Sequence, residues 1–464
     1  MKIVIKNIQA ILPDGEGFNK IEQASVVINQ GIIEAVITED KATIVDAADV
    51  ANNYVNSEKL CIEKDAYLAE AERSANKIID GAGKLLMPGF INCHTHSYMA
   101  FMRNVADDLA FGDWLFGTIS PIEDAMTDED AYWGANLAIL EMMKSGTTCF
   151  NDMQMNIHQT TRAVKESGMR AVISRGLVGS GNDEAGAMRL RQAYEERDAS
   201  KDCDRLSFFL GPHAPYTCDE AFLNIVAEEA AKNDMGIHIH LSESRTEIEN
   251  CQKQYGCTPI ELARRSGIFN RPTIAAHCVH VTDEDIAIMS DKKVSVVTNP
   301  ASNMKLGNGF APVPKMLDAG VNVCLGTDGA ASNNTLNMFH ELSLLTLIHK
   351  GVGETAQCIS AKEGFKIATI NGAKALRMED SIGSIEPGKK ADLVILNTNT
   401  PSLMPNNNLI AGLAYSANGS EVETVIIDGK ITMENRQVLT MDEEKIYYEI
   451  NRIISRMGLD KKVY

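Results

Sequence analysis

Between Leu85 and Asp380 the chain alternates short β-branched runs with helical stretches, and no other feature constrains its fold as strongly. Runs such as Arg170 to Leu177, Gly236 to Leu241, Thr273 to His277, Val294 to Thr298 and Val321 to Leu325 read as strands. Between and around them, Asp219 to Asn233, Thr258 to Ser266, Asp283 to Ser290 and Val313 to Ala319 read as helices. Strand–helix alternation on this scale builds βα units, which need a parallel sheet covered by helices. A block of about 295 residues, 85 to 380, suits a (β/α)8 barrel with insertions.

The 464 residues leave material at both ends. Lys2 to Leu12, Ala24 to Ile28 and Ile32 to Ile37 alternate apolar and polar residues, with Asn29-Gln30-Gly31 as a turn. The far end repeats the texture. Ala391 to Leu396 reads as a strand, and Glu423 to Ile427 and Lys430 to Met433 flank Asp428-Gly429, a strong hairpin signal. The two ends, 1–84 and 381–464, are therefore expected to form one small β-sandwich domain split by the barrel. A terminal helix is expected over Asp442 to Arg456. Residues 38–80 are an acidic insertion in the first part, read as an amphipathic helix over Lys64 to Lys77; a disordered loop is the alternative.

Charge narrows the partners. Forty-four Lys+Arg against 63 Asp+Glu give a net charge of −19. That argues against a nucleic-acid binder, which needs a basic face, and disfavours an anionic membrane surface. The ten cysteines are scattered and none forms C-x-x-C, which fits free thiols in a reducing compartment. The N-terminus reads as a strand and no run of 18 apolar residues occurs, so the cytoplasm is the expected location. A homo-oligomer is expected.

Ten histidines are few, and six of them fall at or near predicted strand ends: His94, His96, His213, His238, His240 and His277. The C-terminal ends of barrel strands build the active site in this architecture. His94-Thr95-His96 follows Pro88-Gly89-Phe90-Ile91, and a two-residue spacing puts both imidazoles on one face of a strand. His238-Ile239-His240 repeats the spacing, with Glu243 three residues on, placed to lean into the same pocket. His277 and Asp328 each close an apolar run, and a carboxylate there is costly unless paired or metal-bound. Each residue alone is more simply a hydrogen-bonded core group. Four strand ends converging on one mouth favour a catalytic metal site with an open position.

At this point the chain resembles the amidohydrolase superfamily, specifically its branch of 5'-methylthioadenosine/S-adenosylhomocysteine deaminases and the related triazine chlorohydrolases. The resemblance covers almost the whole chain. It is carried by Pro88 to His96, Asp107-Asp108-Leu109 with Trp114-Leu115, and Gly211-Pro212-His213-Ala214-Pro215-Tyr216. It continues through His238 to Glu243, Asn299 to Leu306, Gly326 to Asn334, and the stretch from Ser381 to Leu396. It implies metal ligands His94, His96, His240 and Asp328. Binuclear members add a carboxylated lysine on the fourth strand; Leu206 to Gly211 has none, so one divalent metal per chain is implied. Zinc is the usual ion and iron the known option, and three histidines with one aspartate suit either.

The implied reaction is hydrolytic deamination of an adenosine-type nucleoside, S-adenosylhomocysteine, 5'-methylthioadenosine or adenosine, to the inosine analogue and ammonia. Asp328 is placed to accept the proton of the attacking water. Glu243 is the candidate proton shuttle to the ring nitrogen and then to the leaving ammonia. His277 is expected to steady the tetrahedral intermediate. His213 is expected to touch the substrate. Glu123, 27 residues beyond His96, matches a clamp on the ribose hydroxyls; its simpler role is to cap the helix starting near Thr127. Arg175 and Arg189 match positions that would hold the homocysteine carboxylate, although a solvated surface role suits Arg189 equally. Trp114 would pack the purine or thioether, or serve as core. Two other readings compete: another heteroaromatic aminohydrolase or chlorohydrolase acting on guanine, a pterin or a triazine, and a non-catalytic scaffold on the same fold.

Overall fold

The computed structural model describes residues 1–13, 18–45, 64–155, 157–181 and 183–461. Its first six strands are β1 (Lys2–Pro13), β2 (Phe18–Asn29), β3 (Ile32–Thr38), β4 (Ala42–Ile44), β5 (Lys77–Asp80) and β6 (Lys84–Pro88). β1 runs antiparallel to β2, and parallel to β5 along its first half and to β6 along its second. Plain alternation would turn Ile8, Ala10 and Leu12 away from the face that Ile3 and Ile5 occupy. A register shift between Ile5 and Ile8, with Asn7 left-handed at φ 55°, restores them to it, and all five enter one core. Val4 faces the other side, where it packs with Val27, Ala35 and Ala71.

Ala71 belongs to the helix Lys64–Ser74, so the expected insertion helix forms but ends earlier than its pattern suggested. Lys77 already pairs with β1, and strand pairing overrides the helical periodicity there. The disordered-loop alternative for 46–63 lies outside the described residues.

The barrel follows: β7 (Phe90–Thr95), β8 (Thr147–Gln154), β9 (Arg170–Leu177), β10 (Leu206–Pro212), β11 (Gly236–Leu241), β12 (Thr273–His277), β13 (Ser295–Thr298) and β14 (Asn322–Leu325). All seven successive pairings are parallel, and spatial order equals chain order. The ring closes where Asp328 N donates to His94 O at 2.9 Å. The Asn92 amide stitches the same seam, donating to Thr327 Oγ1 (2.7 Å) and accepting from Thr327 N (3.0 Å). A Cβ at Gly326 would lie 2.8 Å from His94 N, so only glycine allows this approach.

The inner floor of the barrel is apolar. Ile91, Cys93, Cys149, Val172, Ile274 and Cys324 form one buried cluster, closed from below by Ala373 and Leu376. The chain then returns to the first sheet through β15 (Leu393–Asn397), β16 (Val422–Ile427), β17 (Lys430–Glu434) and β18 (Gln437–Val438). β15 pairs with β6, so both chain ends share one ten-stranded mixed sheet and one core in which Ile5 and Val26 join Leu393 and Ile426. Gln30-Gly31 and Asp428-Gly429 both turn with positive φ at each residue, the geometry of two-residue hairpins. The turns abut: a Cβ on Gly429 would lie 2.5 Å from Gly31 Cα. Lys84–Pro88 is part of this sheet, so the chain crosses into the barrel at Gly89. The terminal helix, Glu443–Met457, is joined to the barrel helix Asp128–Lys144 by the pair Lys144–Glu443 at 2.6 Å. Among the described residues no helix is long and apolar enough to cross a membrane.

Candidate active site

The mouth of the barrel gathers the polar strand ends. His94 and His96 close β7, His240 lies near the end of β11, His277 ends β12, and Asp328 follows β14. Neighbours along the chain divide between floor and mouth. Cys93 belongs to the floor, yet His94 joins the mouth, because the β7–β8 ladder shifts register between Asn92 and Thr95. Ala276 likewise belongs to the floor, and a left-handed backbone at His277 (φ 72°) turns the imidazole to the mouth. Asp328 is also left-handed, at φ 61°. Non-glycine residues held there store strain that the surrounding structure must support.

The five groups converge. Asp328 Oδ1 lies 3.4 Å from Nε2 of both His94 and His96, and His240 Nε2 lies 3.4 Å from His96 Nε2. The ring nitrogens of His94, His240 and His277 lie within 4.8 Å of one another. Burial drives the His94 imidazole down to about 4, so it is neutral at pH 7 and offers a lone pair. Burial and the surrounding imidazoles push His240 well below its ordinary value. The opposite nitrogens are tied back: His96 Nδ1 meets Met153 O at 2.6 Å and His240 Nδ1 meets His213 O at 2.7 Å. Those bonds place the ring proton on Nδ1 and leave Nε2 facing the centre. His94 Nε2 is buried with no hydrogen-bond partner, an atom that burial penalises unless a cation meets it. Three imidazoles and one carboxylate with an open side fit a divalent metal ion.

Asp328 is fixed from behind. Its Oδ2 accepts from Ser302 Oγ (2.6 Å) and Ser332 Oγ (2.9 Å), and Gly329 N donates to Oδ1 (2.8 Å). Glu243 is buried beside it. Asn308 Nδ2 donates to its Oε1 at 3.0 Å, and its Oε2 lies 3.9 Å from His277 Nε2. Burial and the Asp328 charge raise the Glu243 carboxyl above its usual range, against the pull of His277. His277 donates from Nδ1 to Asn303 Oδ1 (2.8 Å). Burial lowers its basicity, but Glu243 and Asp328 outweigh that and raise it.

One cavity opens over this cluster. It is lined by His96, His213, His240, Glu243, His277 and Asp328, and also by Trp114, Leu115 and Glu123. Trp114 Nε1 donates to Ala331 O at 3.2 Å, which fixes the indole in the wall. Glu123 accepts from the Tyr98 hydroxyl, and burial raises its carboxyl. It does not cap the helix after Thr127; Thr127 and Asp130 form that capping box themselves. His213 contacts Thr217 Oγ1 at 2.9 Å, and burial lowers it to about 3.

Two expected residues stand away from the cavity. Arg175 pairs with Glu196 at 2.7 Å and donates to Gln192 Oε1 at 2.6 Å. Ser174 contacts His238 inside the barrel, so strand parity sends Arg175 outward to the helix Glu184–Asp198. Arg189, on that helix, donates to Val178 O at 2.9 Å. No lysine or arginine lines the cavity among the described residues.

Several supporting groups escape a reading of the sequence. Glu247 accepts from Ser242 N (2.9 Å) and Glu243 N (2.7 Å), holding the turn that presents Glu243, where Ser242 is left-handed at φ 54°. Its position four residues past Glu243 in the first turn of a helix is the signal that could have found it. Ser302, Asn303 and Asn308 carry no local sign of their partners.

Comparison with known proteins agrees with this geometry. The sequence profile of the amidohydrolase family matches residues 85–432. A 5-methylthioadenosine/S-adenosylhomocysteine deaminase of Caldanaerobacter subterraneus subsp. tengcongensis is 47% identical over 377 residues, covering 81% of this chain and 87% of that protein. The protein of the same name from Acetivibrio thermocellus is 48% identical over 384 residues, 82% of this chain and 89% of the relative. Among solved structures, an adenosine deaminase from Xanthomonas campestris with bound zinc superposes with a TM-score of 0.87 at 30% identity, covering 98% of each chain. An atrazine chlorohydrolase from Arthrobacter aurescens complexed with zinc gives 0.84 at 23% identity over 97% of this chain and 100% of its own, a likeness of fold. A profile match across most of the chain, with such relatives and a barrel mouth of this composition, makes the chain a hydrolytic enzyme of the amidohydrolase family.

Proposed function

We propose that the chain deaminates an adenosine-type nucleoside (S-adenosylhomocysteine, 5'-methylthioadenosine or adenosine) to its inosine analogue and ammonia, with one zinc ion per chain held by His94, His96, His240 and Asp328. Iron satisfies the same donors. The observation that carries the reading is the cavity itself. It is lined by the proton-handling groups Glu243, His277 and Asp328 together with a half-buried carboxylate, Glu123, and the apolar walls Trp114 and Leu115. The deaminase names of the relatives and of the zinc-bound neighbour point the same way.

A divalent ion at this site supplies Lewis acidity that makes a water nucleophilic near neutral pH. The chain's own residues do the rest. Asp328, with Oδ2 held by two serines and Oδ1 steadied by Gly329 N but turned to the histidines, takes the proton of the attacking water. Glu243, kept protonated more readily by burial, delivers its proton to the purine ring nitrogen, takes up the hydroxyl proton of the tetrahedral carbon and passes it to the amino group, which leaves as ammonia; the proton that Asp328 took from the water then restores Glu243. His277, with Nδ1 committed to Asn303 and basicity raised by two carboxylates, donates from Nε2 to oxygen on the tetrahedral carbon. Glu123 accepts the ribose 2'- and 3'-hydroxyls, His213 lies along the nucleoside, and Trp114 packs the purine or thioether. Among the described residues no arginine lines the cavity to receive a homocysteine carboxylate, so the reading rests on the nucleoside half.

The test is ammonia release from adenosine, 5'-methylthioadenosine, S-adenosylhomocysteine and guanine, in the parent and in Glu123→Ala. The parent turns over the adenosine series. Two charged hydrogen bonds at about 1.5–3 kcal/mol each separate ribosides from 2'-deoxyribosides, or one to several powers of ten at about 1.4 kcal/mol per tenfold. Glu123→Ala erases that preference. Guanine turnover without adenosine turnover overturns the reading, and equal losses on adenosine and 2'-deoxyadenosine remove the clamp.

A further inference from the structure

His238 lies two residues before His240 on β11, fully buried inside the barrel, and the proposed reaction gives it no task. Its surroundings are specific. His238 Nε2 lies 2.8 Å from His94 Nδ1, with the two rings nearly perpendicular at 89°. Its own Nδ1 lies 3.3 Å from Ser174 Oγ and 3.2 Å from Asn151 Nδ2, and that amide donates to Cys93 O at 2.8 Å. His96 and His240 turn their Nδ1 atoms to main-chain carbonyls. His94 alone turns its Nδ1 to another imidazole.

The tautomers follow in sequence. If His94 Nε2 faces an ion, its ring proton sits on Nδ1. That proton needs an acceptor, and His238 Nε2 is the one in reach. His238 then carries its own proton on Nδ1, directed at Ser174 Oγ, while one N–H of the Asn151 amide goes to Cys93 O.

We infer that His238 is a positioning residue of the metal centre: it accepts the Nδ1 proton of His94 and so fixes the tautomer in which His94 Nε2 meets the ion, with Ser174 setting the tautomer of His238 in turn. This rests on the reading that His94 is a ligand. Partners of metal-bound histidines are worth about 10–100-fold in metal affinity.

The experiment measures zinc affinity of the stripped full-length chain by competition with a chromogenic chelator. The parent, His94→Ala, His238→Phe, His238→Gln and Ser174→Ala are compared, with circular dichroism of each metal-free form as the check on folding. His238→Phe keeps the ring volume and removes the acceptor, so zinc binding weakens about 10–100-fold. His238→Gln restores an oxygen acceptor and recovers most of the loss. Ser174→Ala weakens binding less than His238→Phe does, and it carries the test if His238→Phe fails to fold. A folded His238→Phe that binds zinc like the parent overturns the inference, as does a His238→Gln as weak as His238→Phe. Unchanged affinity in Ser174→Ala, where it alone carries the test, overturns it as well. A parent that takes up no zinc, or a His94→Ala that binds it normally, defeats the ligand reading and this inference together. Zinc lost in His94→Ala but unaffected in His238→Phe defeats the inference alone.

Discussion

The two ends of the barrel interior are built from the same strands by opposite rules. At the floor, Ile91, Cys93, Cys149, Val172, Ile274 and Cys324 exclude water without a charged or strongly polar group among their side chains. At the mouth, His94, His240, His277 and Asp328 are just as buried, and every one must be satisfied by a partner. The change happens across one peptide bond in two strands, between Cys93 and His94 and between Ala276 and His277. Floor side chains fall where strand alternation puts them, with one register shift between Phe90 and Ile91 where β7 enters the floor. Mouth side chains need a register shift or left-handed backbone at Ser242, His277 and Asp328. The floor therefore stabilises the fold and tolerates no chemistry. The mouth performs chemistry and relies on the rest of the fold to hold it in place.

That division predicts separable losses. Glu243→Gln is expected to lower kcat by at least about a hundredfold, the scale of general acid–base help, with metal content and unfolding temperature near those of the parent. The glutamine keeps an oxygen for Asn308 but has no proton to give. Steady-state kinetics beside elemental analysis checks it, and near-normal turnover removes Glu243 from the mechanism. Ile274→Ala probes the other end. Truncating a fully buried isoleucine costs about 2–5 kcal/mol, read as a shift in the denaturant midpoint. kcat/KM is expected to hold in conditions where the variant stays folded. A variant that is fully folded yet catalytically impaired would break the division, because the floor would then be positioning the mouth.

The sequence announces the floor and mouth unequally. Strand limits such as Gly236–Leu241 and Thr273–His277 are legible because β-branched runs stop at polar residues. Helix starts are legible because Asp219, Thr258 and Thr282 carry the capping side chain themselves. The candidate metal-binding set is legible because each member closes an apolar run. Its supports are not. Asn308 reaches Glu243 across 65 residues and Asn303 reaches His277 across 26, and a buried asparagine carries no local mark. The inward turn of His277 depends on a left-handed φ that no non-glycine sequence pattern announces. Arg175 shows the converse. An inward Ser174 sends the next side chain outward, so alternation along the strand, followed residue by residue, is enough to separate Arg175 from the pocket.

The smallest expected effect sharpens the contrast between histidines that have a task and one that has none. His349 lies on the helix Met338–Val352, outside the cavity, and burial alone lowers it to about 4. In the unfolded chain a histidine titrates near 6.5. Above that pH both states are neutral and the residue adds nothing to the pH dependence. As the pH falls below about 6.5, the unfolded chain takes up a proton that the folded one refuses. Stability is then lost progressively until the folded group titrates near 4. Between pH 7 and pH 5.5 this amounts to about 1 kcal/mol. Replacing His349 by leucine removes the titration, so the denaturant midpoint of the variant is expected to fall less than the parent's over that interval, with kcat/KM at pH 7 unchanged. Of the mouth histidines, His94 and His240 are depressed by the same burial, but a bound metal ion competes with the proton for them. Their acid sensitivity is expected to move with added zinc, whereas the contribution removed with His349 is not. A zinc-dependent difference between parent and His349→Leu would place His349 in the metal site's support and erase the contrast.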